Sequence, residues 1–135
     1  MMLLPAISLP EMARCIYGGW RVFLRDKAGF AYLDNSLDAF WKSFWVMVLM
    51  APLHFGLRFL DPSEAPETPP SMLQAVTVEV TGYLILWFLW PLIMVYVTRW
   101  MDCFDGFTRY VVAYNWAAPP LYILNFMLLG ALWSD

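Results

Sequence analysis

The sequence predicts an all-α integral membrane protein, with three transmembrane helices preceded by an amphipathic interfacial helix. Hydrophobic residues make up 61% of the chain and charged residues 14%, whereas soluble domains have roughly 45–50% and 25%. The stretch 72–98 contains one ionisable side chain, Glu79, and no Lys or Arg. About 20 apolar helical residues cross a bilayer, so this stretch is long enough to do so. We expect the other helices to be arranged around it.

Residues 10–28 form the predicted interfacial helix. Its apolar face follows three- and four-residue spacing and consists of Met12, Ile16, Trp20, Phe23 and Leu24. The opposite, largely basic face carries Arg14, Gly18, Arg21 and Arg25. This pattern is typical of a helix lying in the plane of a membrane surface. The alternative is a helix on the soluble side that packs on the protein's own loops. The pair Gly18-Gly19 predicts a bend or a close helix contact, because glycine weakens a helix by roughly 1 kcal/mol.

The first predicted span covers residues 40–60. Asn35 or Ser36 supplies its helix cap. An aromatic belt with a snorkelling lysine marks where the helix meets the membrane, at Phe40, Trp41, Lys42, Phe44 and Trp45. Residues 61–71 follow as an external loop that is rich in proline and acidic side chains and contains no basic residue.

The second span is residues 72–98, the turn is 99–110, and the third span is 111–133. Pro119-Pro120 lies at the centre of the third span, so we expect this helix to be kinked or broken there. The carbonyls that the prolines leave without partners require neighbouring protein groups. We therefore expect part of this helix to be buried against protein.

The distribution of basic residues predicts the orientation. Lys and Arg are concentrated before the first span, two lie in the turn 99–110, and none follows Trp133. By the positive-inside rule, the N-terminus is cytoplasmic and both the proline-rich loop and the C-terminus are outside. The predicted location is the cell inner membrane.

Polar residues of the three spans are predicted to meet in the outer leaflet. His54, Glu79 and Asn125 each lie about 9–12 Å inside the outer end of their span, and Arg58 lies one turn shallower. A carboxylate within a membrane is a functional candidate by default. One hypothesis is a proton- or ligand-handling site with Glu79 as the carrier. The other is a polar cluster that only holds the helices together.

Several function classes are excluded by what the sequence lacks. The basic residues form no tract that would follow nucleic-acid phosphates, so we expect no nucleic-acid partner. One histidine and two cysteines without ligand spacing predict no metal site. No nucleophile elbow, Ser-Lys dyad, phosphate-binding glycine loop or haem-ligand pair is present. We therefore expect a protein that is not an enzyme and has no cofactor.

The segment 107–132 resembles the Yip1-like family of small multi-span membrane proteins. The similarity is carried by a pattern of the form A-Y-x-x-A-P-x-L, represented here by Ala113, Tyr114, Ala117, Ala118, Pro119 and Leu121. The segment is also similar to small alphaproteobacterial inner-membrane proteins without an assigned activity. Members of the Yip1-like family usually have about five spans, whereas this chain is long enough for three. The resemblance implies a membrane-organising or trafficking-type partner protein in eukaryotes and an unknown function in bacteria, and it identifies no catalytic residue.

Three functions follow from these expectations. The favoured one is a non-catalytic accessory or scaffold subunit of a larger membrane assembly, or a homo-oligomer, whose partners are lipids and other integral subunits or copies of itself. The second is an oligomeric channel or proton-coupled carrier that uses the outer-leaflet cluster. The third is lipid binding or membrane shaping, in which headgroups are contacted by Arg14, Arg21, Arg25, Lys42, Arg99 and Arg109.

Overall fold

The computed structural model describes residues 4–60 and 70–133, and every regular element in these ranges is helical. The α-helices are α1 (Leu9–Phe23), α2 (Leu37–Ser43), α3 (Trp45–Leu60), α4 (Met72–Trp100) and α5 (Phe107–Trp133). Short 3-10 helices occupy Lys27–Tyr32 and Phe104–Gly106. Most of the predicted external loop, residues 61–69, lies outside the described residues.

Serine side chains cap the N-terminal ends of three of the helices. The hydroxyl of Ser8 accepts a hydrogen bond from the backbone N–H of Glu11 at the start of α1, and Ser36 accepts one from Ala39 at the start of α2. Ser71 and Gln74 form a reciprocal capping box at the start of α4. Each bond satisfies an N–H group that has no partner within its own helix. Of the two predicted caps of the first span, Ser36 is the one used.

Helix α1 ends at Phe23, earlier than the predicted boundary at residue 28. The N–H of Arg25 donates to the carbonyl of Val22, and the N–H of Asp26 donates to the carbonyl of Arg21. Arg25 has a φ of 63°, so these bonds form a Schellman motif with an arginine at the position that glycine usually occupies. The chain then turns back, and the 3-10 helix Lys27–Tyr32 packs on α1.

Two stretches are long and apolar enough to cross a membrane, Leu37–Arg58 and Met72–Trp100. The first combines α2 and α3, whose α-helical segments are separated by Phe44. Helix α5 has 27 residues, which also meets the length requirement. Its prolines, asparagines and tyrosines make it less apolar than the other two, and the third span stays a prediction.

Helix α5 continues through Pro119 and Pro120 without interruption, so it is not broken there, and the kink stays a prediction. Pro120 has no N–H to donate to the carbonyl of Trp116 four residues earlier. That carbonyl lies directly against Gly19 of α1. Both prolines and Trp116 are buried, which places the weakened part of α5 against protein rather than in an open environment.

The central helix is α5, and the expectation that the chain is arranged around residues 72–98 is wrong. Helix α5 contacts α1, α2, α3 and α4. Helix α4 packs mainly on α5 and on the 3-10 helix Phe104–Gly106 that precedes α5. The main core cluster contains Cys15, Val46, Tyr83, Trp87, Val112 and Trp116. Only Tyr83, Trp87, Pro91 and Thr98 are buried along the 29 residues of α4. The buried side chains of α5 range from Ala113 to Trp116, whereas most of the side chains of α4 are exposed.

Candidate functional site

The structure brings two of the four predicted cluster residues into direct contact. The Nε of Arg58, near the end of α3, donates to Oε1 of Glu79 in α4 at 2.9 Å. The Glu79 side chain is 21% exposed and that of Arg58 is 40% exposed. This ion pair joins α3 to α4 and gives the carboxylate a cationic partner. A paired carboxylate is far less costly in an apolar environment than an isolated one.

His54 lies in an aromatic cluster rather than against the carboxylate. Its ring centroid is 4.5 Å from that of Tyr83, 5.3 Å from that of Phe55 and 6.3 Å from that of Tyr122. The hydroxyl of Tyr83 donates to the backbone carbonyl of Met47 at 2.6 Å. These contacts join α3, α4 and α5 at one level of the bundle.

Asn125 is exposed and makes no hydrogen bond to the other three predicted residues in the described part of the chain. Its level along α5 is close to that of Tyr122, which contacts His54. Three residues along an α-helix correspond to about 300° of rotation, so Asn125 lies only about 60° from Tyr122 around the axis of α5. Counting residues therefore gave a reasonable depth for Asn125 and could not show that its side chain stays exposed.

A buried polar contact that was not predicted joins α5 to α2. The Nδ2 of Asn115 donates to Oγ of Ser43 at 2.9 Å, and Ser43 in turn donates to the carbonyl of Phe40 at 2.7 Å. Both side chains belong to residues with no exposed surface. The Oδ1 of Asn115 and the Nε1 of Trp87 have no hydrogen-bond partner among the described residues. The signal in the sequence was a lone asparagine within an apolar stretch, which is retained in a packed interior when it is hydrogen-bonded.

Some of the residues predicted to contact lipid headgroups are paired with carboxylates of the protein and others are not. Arg21 donates from Nε to Oδ2 of Asp26 at 2.6 Å, and its guanidinium lies 5.8 Å from the ring centroids of Tyr17 and Tyr32. A bond from the Ala28 N–H and the guanidinium of Arg21 hold the pKa of Asp26 below its ordinary value. The positive charge of Arg21 is therefore balanced within the protein.

Lys42 is also paired within the protein. Its Nζ lies 3.0 Å from Oε1 of Glu11 and 2.8 Å from Oδ2 of Asp38. The pair with Glu11 ties the first turn of α1 to α2. Lys42 therefore acts as a link between helices and carries little net charge toward solvent.

The remaining four predicted headgroup residues are exposed. Arg99 lies 4.9 Å from the ring centroid of Phe104, and Arg109 lies 4.9 Å from that of Phe30. Arg14 and Arg25 form no ion pair with a carboxylate among the described residues. A hydrogen bond from Ser36 and, to a smaller degree, the charge of Arg14 hold the pKa of Asp34 below its ordinary value, so part of the Arg14 charge acts within the protein.

An apolar groove lies between α1 and α5. Its cavity volume is about 410 Å³. The lining residues are Ala13, Ile16, Tyr17, Trp20, Pro119, Pro120 and Ile123. A second, smaller cavity of about 170 Å³ adjoins Glu79 and is otherwise lined by Phe55, Val76 and Val80. The lining of each cavity contains one ionisable side chain, Tyr17 in the first and Glu79 in the second.

No group of three or more His, Cys, Asp or Glu side chains comes together as potential metal ligands within residues 4–60 and 70–133. In the comparisons with known proteins, no family model matches the chain, and no curated protein or solved structure matches it.

Proposed function

We propose that this protein is a non-catalytic inner-membrane protein that serves as an accessory or scaffold subunit of a larger membrane assembly, or forms a homo-oligomer. In this proposal the chain crosses the membrane three times, with α2–α3, α4 and α5. The N-terminus is cytoplasmic and the C-terminus is outside, an orientation that the distribution of Lys and Arg supports.

The observation that carries the proposal is the unpacked surface of α4. This helix has 29 residues, a length of about 43 Å, whereas a bilayer core is about 30 Å thick. Phe44 at the junction of α2 and α3 stacks on Phe88, so α4 continues from Leu89 to Trp100 beyond that level. Side chains on this part are 40–88% exposed at Trp90, Leu92, Ile93, Tyr96 and Trp100. A helix longer than the bilayer core tilts or associates with other helices, and we propose association for α4.

Three helical glycines indicate that partner helices cover exposed surface of this protein. A Cβ built on Gly56, Gly82 or Gly130 would have no neighbouring atom within 4 Å. Glycine inside a helix costs about 1 kcal/mol relative to alanine, and nothing in the described chain repays this cost. Between membrane helices, small residues let two backbones approach closely. These positions are therefore candidate contacts with another subunit or a second copy.

Purification in mild detergent tests the proposal. We expect either a co-purifying membrane protein or a defined homo-oligomer, and we expect Gly82→Leu to release it. Open space around Gly82 means that the larger side chain does not disturb the fold of the chain itself. Leu84→Ala is the matched control for a change in side-chain volume, because Leu84 is exposed and lies about 160° around α4 from Gly82. A monomer with no partner, observed under conditions that preserve other membrane complexes, contradicts the proposal.

The alternative function as a proton-coupled carrier or channel is less well supported by the geometry. Glu79 is paired with Arg58, His54 packs among aromatic rings, and Asn125 is exposed. This arrangement favours a structural role for the ion pair. We expect Glu79→Gln to weaken the contact between α3 and α4 and to leave function intact when the protein is kept folded at lower temperature. Loss of function in a fully folded Glu79→Gln protein is the result that supports the carrier.

A further inference from the structure

One face of α4 carries an exposed apolar seam, whose positions alternate in spacing between four and three residues. The seam consists of Gly82, Leu86, Leu89, Ile93, Tyr96 and Trp100. Its side chains are 41–88% exposed, and a Cβ built on Gly82 would meet no atom within 4 Å. At about 100° per residue, the seam positions fall within about 80° of one another. The buried residues of α4 lie about 100–180° from Gly82, at Tyr83, Trp87, Pro91 and Thr98.

The spacing of the seam is that of a helix that pairs with another helix. Contact positions of a coiled coil alternate by three and four residues, because this period keeps them facing the partner over several turns. Glycine at one end of the seam lets two helix backbones approach closely, as small residues do between membrane helices. These two features predict a partner helix along the seam.

Two contacts define a level of the bundle that the seam crosses. The Nδ2 of Asn115 donates to Ser43, and the adjacent Phe44 stacks on Phe88 with ring centroids 5.0 Å apart. From this level α3, the first part of α4 and the last part of α5 each continue for about 24–27 Å. This length is close to the thickness of a bilayer core, about 30 Å. In the membrane location proposed above, the inner edge of the hydrocarbon therefore lies near this level.

The distribution of charge agrees with this placement. In the described parts of the three helices on the outer side of the level, the only charged side chains are Arg58 and Glu79, which are paired. Every other charged side chain of the described chain lies in 4–43 or 89–115. The second half of the seam, from Leu89 to Trp100, therefore extends beyond the hydrocarbon, where acyl chains do not cover it.

The charges at the inner end of the seam are suited to a second copy of the chain. They are Arg99, Asp102, Asp105 and Arg109, and none of them forms an ion pair within the part of the chain that the structure describes. Two are positive and two negative, so neither an acidic nor a basic partner is favoured, whereas two copies can place an arginine of one against an aspartate of the other. The seam itself contains no charged residue, so like residues can meet across it without repulsion.

We propose that two copies of this chain pair in parallel through the seam, with the closest approach of the two α4 helices at Gly82. Both copies enter the membrane with the same orientation, so the two-fold axis runs along the membrane normal and places each seam residue opposite its counterpart. The large rings of Tyr96 and Trp100 fill the wider space at the other end. This pairing rests on the proposed function and selects the second copy among the partners that it allows.

Disulfide crosslinking of the full chain in membrane vesicles tests the pairing, with copper phenanthroline as the oxidant. The background is Cys103→Ser, which leaves only the buried Cys15. Single cysteines are introduced on the seam at Leu86, Leu89 and Ile93. Leu84→Cys and Val80→Cys are matched controls, because both positions are as exposed as Ile93 (40–41%) and lie about 160° from the glycine of the seam. We expect covalent dimers from the seam positions and none from the controls.

A second variant tests the close approach at the glycine. Adding Gly82→Leu to Leu86→Cys should lower the crosslinked fraction about fivefold. Gly56→Leu is the matched control, because Gly56 also has open space around it and lies on α3; it should leave the crosslink unchanged. Circular dichroism checks that each variant keeps its helical content.

Equal crosslinking at the seam and the control positions, or crosslinking at the controls alone, overturns the pairing. A seam crosslink that survives Gly82→Leu in full also overturns it. Absence of crosslinks in a protein that still migrates in a larger complex assigns the seam to a different subunit, which refutes the pairing and leaves the accessory role intact. A monomer without any partner contradicts both.

Discussion

Replacing Gly19 by alanine tests the contact that attaches α1 to α5. An added Cβ would collide with the backbone carbonyl of Trp116 and would lie 2.9 Å from its Cβ. Real Cβ atoms essentially never come closer than 3.0 Å to another heavy atom. A backbone carbonyl inside a helix cannot rotate away, so α1 has to move off α5. The movement would also uncover the Trp116 carbonyl that Pro120 leaves without a helical partner.

The expected size of the effect follows from two opposing contributions. Over-packing a tight contact costs about 1–3 kcal/mol. We take the upper half of this range, because the clash is with backbone atoms. Alanine in place of glycine stabilises a helix by about 1 kcal/mol. The variant should therefore lower the free energy of unfolding by about 1–2 kcal/mol.

The free energy of unfolding is measured by titrating the micelle-bound monomer with a denaturing detergent while following helicity by circular dichroism. Gly82→Ala is the matched control, since the added methyl meets no atom within 4 Å and should stabilise the monomer by about 1 kcal/mol. Hydrogen exchange along residues 9–23 should increase in Gly19→Ala alone. If Gly19→Ala is as stable as the wild type, or more stable, the close contact between α1 and α5 does not exist.

Three further predictions concern other parts of the bundle. Cys103 is exposed and Cys15 is buried, and burial raises the pKa of the Cys15 thiol. A membrane-impermeant maleimide should therefore label Cys103 rapidly, and only in inverted vesicles. Labelling from the outside refutes the proposed orientation. Alanine substitutions at Asn115 and Ser43 should show a coupling free energy of about 1 kcal/mol or less in a double-mutant cycle, and no measurable coupling argues against their hydrogen bond. The pKa of Asp26 is held below its ordinary value of 3.8. The stabilisation of the folded protein by the Asp26 carboxylate is therefore present above pH 3.8 and is lost as the pH falls through the lowered pKa. Hydrogen exchange at residues 24–32 should rise in that pH range, and Asp26→Asn should show the faster exchange already at neutral pH.

The predicted site was recovered only in part, and the reason lies in helix geometry. The pairing of Arg58 with Glu79 involves two helix ends that the chain brings close together through a short connection. Asn125 lay at a suitable depth, yet its direction around α5 is decided by which face packs on the neighbouring helices. The buried bond of Asn115 was missed for the same reason, because an asparagine in an apolar stretch does not reveal its partner.

The sequence alone determined the helical class, the order of the helices and several of their ends. Two of the stretches it predicted as spans are apolar and long enough to cross a membrane, and Ser36 begins α2 as one of two predicted caps. These properties depend on residues close together in the chain, through hydrophobic length and local hydrogen bonds. The tertiary structure decided that α5 is the central helix and that the glycine side of α1 is buried against it. It also decided that α5 stays continuous through its prolines. Each of these outcomes depends on the rotation of one helix against another, which packing between distant residues sets and local periodicity does not.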